Sequence, residues 1–452
     1  MMSQEQNDFL TRIGARAPAG KLMRMYWQPV ALAEEFGQGR PVKAVRLLGE
    51  DFVAFRDVHG RYGLMDRDCP HRGADLAFGR LEERGLRCVF HGWMFGRNGQ
   101  CLETPAEPAD SLLCRNLRQR AFPVVEKGGI VWAYPGDGEP PAFPDLDCFI
   151  APDAYTFAFK GYIECNWLQA LEVGIDPAHA SFLHRFFEDE DLSRAYGRPF
   201  RGISANSDLP MTAILRDYDR PVINVDRTDY GLRLITLREI DEQQTHVRVT
   251  NQLFPHAFVI PLSQDMTISQ WHVPVDDTAC YWYAIFTSFT NPVDKERMRN
   301  QRLELYELPD YKSRRNRGND WGFDPREQAT QTYTGMGYDV NVHDQWAVES
   351  MGRIQDRTRE HLGTSDKAII QYRRILKEEI EKVAAGRMPL LFLDPVTAHS
   401  IRGPATADGI GPTQGWETYW MEVDAKRRRN APWGAAVPVH RDDKVSDLSA
   451  VK

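Results

Sequence analysis

Two short segments of this chain carry residues at the spacing of a metal centre. They are Cys69-Pro70-His71 and Cys88-Val89-Phe90-His91, with sixteen residues between His71 and Cys88. Two thiolates and two imidazoles are soft and borderline donors, suited to zinc or to iron. Zinc fingers separate the members of a ligand pair by two or more residues, and C-x-H is tighter than that. Gly73 and Gly92 follow the two histidines closely, as loops that wrap a buried centre require.

A mixed set of two cysteines and two histidines fits a Rieske [2Fe–2S] cluster better than zinc. One iron takes both cysteines and the other both histidines, which raises the reduction potential to roughly −150 to +300 mV. A zinc-stabilised interaction protein is the rival reading. The remaining cysteines, Cys101, Cys114, Cys148, Cys165 and Cys280, lack ligand spacing and read as free thiols.

A second set lies further along, in ECNWLQALEVGIDPAHASFLH (164–184), where Asp176, His179 and His184 stand close together. Two histidines and a carboxylate are the donors of the facial triad that holds non-haem Fe(II) with open positions. Residues five apart on a regular helix point about 140° apart. His179 and His184 therefore require a broken or bulged helix to share one ion. Asp176-Pro177 offers a helix start, Asp as N-cap and Pro at the first helical position. The third ligand must come from far along the chain, and Asp344 and Asp356 in VHDQWAVESMGRIQDRTRE compete for it. Asp344 is preferred because it lies in an apolar-periodic helix.

The elements that must position these residues follow from the patterning. The chain has 452 residues, 42% apolar and 27% charged, with net charge −8. These are values of a globular protein of two or three domains, and they argue against nucleic acid as a partner. No apolar run reaches the ~20 residues of a membrane helix and the N-terminus lacks a signal pattern, so a cytoplasmic location is expected. Residues 1–25 read as a helical lead-in. Residues 26–134 alternate in short runs broken by Gly, Pro, Asn and Asp, an all-β domain holding both Cys/His pairs. The Pro-, Gly- and Asp-rich stretch 135–152 reads as a linker. Residues 153–424 give helix, then long strands, then helices: an α+β domain with a twisted antiparallel sheet covered on one face by helices. Residues 425–452, opening with a basic run at 426–429, read as a solvated or partner-packed tail.

The segments CPHRGA (69–74), CVFHGW (88–93), NWLQALEVGIDPAHASFLH (166–184) and HDQWAVESMG (343–352) resemble the Rieske non-haem iron oxygenases. The likeness is to the large oxygenase subunits of the group that includes phthalate 4,5-dioxygenase and 5,5′-dehydrodivanillate O-demethylase, and it covers nearly the whole chain. It implies a helix-grip-like catalytic domain. Cys69 and Cys88 would bind one cluster iron and His71 and His91 the other, while His179, His184 and Asp344 would bind mononuclear Fe(II). Asp176 would act in catalysis by bridging a cluster histidine of one subunit to an iron-ligating histidine of its neighbour. That route implies a homotrimer, single or stacked in pairs. The chain departs from better-known relatives at Glu172, where an Asn is common.

The resulting expectation is the terminal oxygenase of a multi-component system. It would use O₂ and electrons from a separate NAD(P)H-dependent flavin or iron–sulfur reductase, with or without a ferredoxin, to hydroxylate or O-demethylate an aromatic carboxylate. No G-x-G-x-x-G stands between a strand and a helix, so the nicotinamide belongs to the reductase. Arginine suits a carboxylate, and Arg233, Arg238 and Arg248 lie on expected strands. The rival of another class is a Rieske electron carrier without oxygenase activity.

Overall fold

The computed structural model describes residues 2–37, 39, 41–188 and 210–434. The lead-in forms helices Gln4–Thr11 and Pro18–Met23, the first closed by a Ser3/Gln6 capping box. These helices dock on the catalytic half. Asn166 and Trp167 donate to the Thr11 carbonyl at 3.1 and 3.2 Å, and Arg357 donates to Asn7 at 3.1 Å.

Three small antiparallel sheets make up the following domain. Strands Gln28–Leu32, Ile130–Ala133 and Val124–Lys127 face the catalytic half, and a four-stranded sheet of Val42–Leu47, Glu50–Arg56, Tyr62–Asp66 and Ala121–Phe122 forms the body. The third sheet, Arg80–Glu82, Gly85–Arg87, Met94–Phe95 and Cys101–Glu103, carries the 88–92 loop between its second and third strands. Between the two four-stranded sheets, Val53, Phe55, Leu76, Leu86 and Phe95 form a core separate from the main core of the molecule.

The segment expected as a linker is pinned down. Asp145–Leu146 pairs in parallel with Arg402–Gly403, and helix Asp147–Ile150 follows. The cause is the aromatic residues set among its prolines: Phe143 stacks on Trp27 at 5.1 Å and Phe149 on Trp271 at 5.7 Å.

A ten-stranded sheet dominates the catalytic half. Its long strands run in hairpin succession from Val222–Arg227 through Gly231–Glu239, Gln244–Leu253, Ala257–Ser263 and Met266–Asp276 to Ala279–Ser288. Thr156–Ile163, the first strand in sequence, then pairs antiparallel with Ala279–Ser288. Helices Trp167–Gly174 and Lys367–Ala384 pack on one face. One-sided coverage does not hold, because helix Trp416–Asn430 covers the opposite face, with Trp420 against Ile235, Val247 and Val249. That helix also runs through the boundary expected at 425. Arg427 and Arg428, both half-buried, form ion pairs with the buried Asp424, and Arg428 reaches Asp147 as well. Arg428, backed by Asp424 and Arg427, is thus a clasp on the segment after the cluster domain, while Lys426 and Arg429 face solvent as expected of a tail. Among the described residues no helix is long and apolar enough to cross a membrane.

Candidate cluster site and metal centre

The two Cys/His loops close in the same way. Gly73 N–H donates to Cys69 O at 2.8 Å and Gly92 N–H to Cys88 O at 3.0 Å, while Cys69 N–H and Cys88 N–H donate to Ala74 O and Trp93 O. Both turns need positive φ, 76° at Gly73 and 77° at Gly92, where a side chain is strained. Cys69 and Cys88 are buried, and burial together with the neighbouring Cys88 pushes the Cys69 thiol up to about 11. The histidines sit further out. Their ring centroids are 4.4 Å apart, and His71 stacks on Trp93 at 4.3 Å. His71 Nδ1 is buried without a hydrogen-bond partner. Two thiols behind, two imidazoles in front and an orphaned ring nitrogen fit a Rieske cluster.

His179 and His184 flank a helix of only four residues, Ala180–Leu183, so a single turn separates them. This is the break that the five-residue spacing demands. Helix Trp167–Gly174 has already ended, and Asp176 caps a turn instead of a helix: its Oδ1 accepts from Ala178 N–H at 2.9 Å. Asp176 Oδ2 stands 3.8 Å from His179 Nδ1, too far for a hydrogen bond.

Helix Val340–Ser350, capped by Asp339, brings in the carboxylate. His179 Nε2 lies 3.2 Å from His184 Nε2, and Asp344 Oδ1 lies 3.6 and 3.2 Å from the two. Burial alone would raise the Asp344 carboxyl, but the facing His184 and His179 hold it below the ordinary range. Burial lowers His179. Among the described residues Asp344 Oδ1 accepts no hydrogen bond. Three converging donor atoms, one an orphaned carboxylate oxygen, fit a divalent metal ion. Asp356 is elsewhere, accepting from the N–H and hydroxyl of Thr358 at the start of a 3₁₀ turn. Glu172 is buried between Arg357 and Arg373, 2.8 and 2.6 Å away, and is not in this group.

A cavity of about 270 Å³ opens beside the three donors. Ile163, Phe258, Ile268 and Phe286 make its apolar side, and Arg238, Arg248 and Gln270 its polar side. Asp408 neutralises Arg248 at 2.7 Å and also takes His246 at 2.7 Å. Arg238 is 2% exposed and donates only to neutral oxygens, those of Tyr218, Pro177 and Ser181. No carboxylate among the described residues forms an ion pair with it. Burial, then the nearby Arg248, lower its guanidinium to about 10. Arg233 lies on the other face of the sheet, over Trp420. Sequence reasoning missed His343 and the Asp408/His246 pair; strand alternation could have placed His246 beside Arg248, whereas nothing local marks His343.

A cluster domain followed in one chain by a two-histidine, one-carboxylate centre defines the class of the Rieske non-haem iron oxygenases. Residues 26–123 match the Rieske [2Fe-2S] domain and residues 136–422 the family described as LigXa C-terminal domain like. The chain is 36% identical to the phthalate 4,5-dioxygenase oxygenase subunit of Pseudomonas putida, over 85% of this chain and 88% of that one. It is 32% identical to the 5,5′-dehydrodivanillate O-demethylase oxygenase subunit of a Sphingobium species, over 89% and 87%. In fold it resembles NdmA of Pseudomonas putida CBB5 solved with caffeine, with TM-score 0.57 and 18% identity over 83% of this chain and 97% of that one. Dicamba monooxygenase bound to dicamba gives TM-score 0.54 and 20% identity, over 80% and 99%. The chain therefore belongs to the Rieske non-haem iron oxygenases, and its cofactors are a [2Fe–2S] cluster and a mononuclear iron.

Proposed function

We propose that this oxygenase acts on an aromatic carboxylate, with Cys69, His71, Cys88 and His91 holding the cluster and His179, His184 and Asp344 holding the iron. When bound, the cluster passes single electrons and the ferrous ion activates dioxygen. The chain's own part is to place the ring and keep water out: Phe258, Ile268 and Phe286 pack on the ring, and Arg238 receives the carboxylate. The observation that carries this reading is Arg238, a buried guanidinium in the cavity with no partner anion among the described residues. The relatives named for phthalate and 5,5′-dehydrodivanillate supply the same chemical class. At about 270 Å³ the cavity lies just below the roughly 300–1,000 Å³ of small-molecule sites, which favours a one-ring acid over a biaryl.

Electrons come from a separate NAD(P)H-dependent reductase. The assembly is a head-to-tail homotrimer. Phe90 and Val89, 56% and 59% exposed, form an apolar tip at the cluster, and Phe182 and Tyr333, each 45% exposed, form another near the iron ligands. Each tip would be covered by the other on a neighbouring subunit.

The test is turnover of the iron-loaded enzyme with a surrogate reductase on a panel of one-ring acids and their methyl esters. Oxygen uptake is recorded together with formaldehyde, which separates O-demethylation from ring hydroxylation. Arg238→Leu should weaken acid binding by about 30- to 1,000-fold, the 2–4 kcal/mol of a buried charge pair, and spare the esters. Equal loss on acids and esters would refute the carboxylate reading.

A further inference from the structure

His343 precedes Asp344 on helix Val340–Ser350 and is fully buried. Its Nε2 lies 2.8 Å from the Gly337 carbonyl oxygen. Its Nδ1 faces Nδ1 of His184 at 3.4 Å, the two rings meeting edge to edge with centroids 5.6 Å apart and planes inclined by 24°. A carbonyl only accepts, so His343 Nε2 carries the hydrogen. A second hydrogen on Nδ1 would make a fully buried imidazolium. The hydrogen between the two facing nitrogens therefore belongs to His184 Nδ1. That leaves the lone pair of His184 on Nε2, the atom that faces His179 Nε2 and Asp344 Oδ1.

The carbonyl at the start of this relay is itself held. Gly337 adopts φ 80°, and its N–H donates at 2.7 Å to Glu327, whose Oε1 also takes the Thr332 hydroxyl at 2.5 Å. We propose that His343 is a positioning residue which, oriented by Gly337, fixes the tautomer and ring plane of His184 so that Nε2 is preformed for the metal. The inference rests on His179, His184 and Asp344 being the iron ligands. It goes beyond that reading in giving the neighbour of one ligand control over another.

The experiment measures Fe(II) affinity of the cluster-loaded enzyme, anaerobically, by competition with a chromophoric chelator, and the visible spectrum of the Co(II)-substituted protein. His343→Leu fills the space and removes the acceptor. It should weaken Fe(II) binding by about 10- to 100-fold and shift the Co(II) bands, with the cluster spectrum unchanged. His343→Asn places an amide oxygen where Nδ1 stood and should restore most of the affinity. If the Leu and Asn variants bind alike, whether tightly or weakly, the acceptor is not what matters and the proposal is wrong. Wild type and His184→Ala are measured alongside. Equal Fe(II) affinity in these two would instead sink the ligand assignment on which the proposal rests.

Discussion

At the scale of single residues, the carboxylates divide by what they face. Asp344 Oδ1 faces two imidazole nitrogens and accepts no hydrogen bond among the described residues, whereas Asp356 Oδ1 accepts both the N–H and the hydroxyl of Thr358. Asp344→Ala should strip the mononuclear iron and Asp356→Ala should keep it, read as iron per cluster in the purified protein. Asp176 is a subtler case. One oxygen caps a turn and the other stops 3.8 Å short of His179 Nδ1, so within one chain the contact is not closed. In the proposed trimer, a histidine of a neighbouring subunit would be the second partner of this carboxylate. Asp176→Asn preserves the cap, since Asn caps as well as Asp. Both metals should still bind, and single-turnover oxidation of the reduced cluster should slow by at least tenfold. A wild-type rate in that variant would reduce Asp176 to a capping residue.

At the scale of elements, a one-turn helix does what a long one cannot. Ala180–Leu183 is short enough for His179 and His184 to lie at its two ends and turn inward together. The spacing of five announced this break, but not its form, because the turn is set by contacts with Val340–Ser350 about 160 residues away. Strand parity was equally readable. Arg233 and Arg238 are an odd number apart on Gly231–Glu239 and must face opposite ways, and only Arg238 reaches the cavity. Helix-to-sheet distance was not readable. Helix Trp167–Gly174 sits so close to the sheet that a Cβ on Gly174 would come within 2.0 Å of the Phe258 ring. Gly174→Ala should cost about 1–3 kcal/mol in urea unfolding of the catalytic half, and push Phe258 into the cavity. The cluster spectrum should stay as in wild type, because the cluster domain has its own core.

At the scale of the whole molecule, the two halves are joined by buried polar contacts. Gln28, on a strand of the cluster domain, meets His256 of the catalytic hairpin at 2.8 Å. Burial pushes His256 down from 6.5 to about 4. Between those values the unfolded chain binds the proton and the folded one does not, so this contribution is complete above pH 6.5 and lost as pH falls toward 4. From pH 7 to pH 5 it should remove about 2 kcal/mol, and His256→Gln should make the acid loss measured in urea titrations at the two pH values smaller by that share, the other buried histidines keeping theirs. Here the sequence was least legible. The basic run at 426–429 looked like a free arm because its acids are scattered: Asp424 is adjacent, but Asp147 lies 281 residues from Arg428. The same clasp bears on how the protein is made. On a ribosome adding roughly 5–20 residues per second, about 300 residues separate the finished cluster domain from the helix that locks its trailing segment, a delay of about 15–60 s. During that interval all residues of the cluster domain have been made, its small core of Val53, Phe55, Leu86 and Phe95 included, but its trailing segment is unfastened.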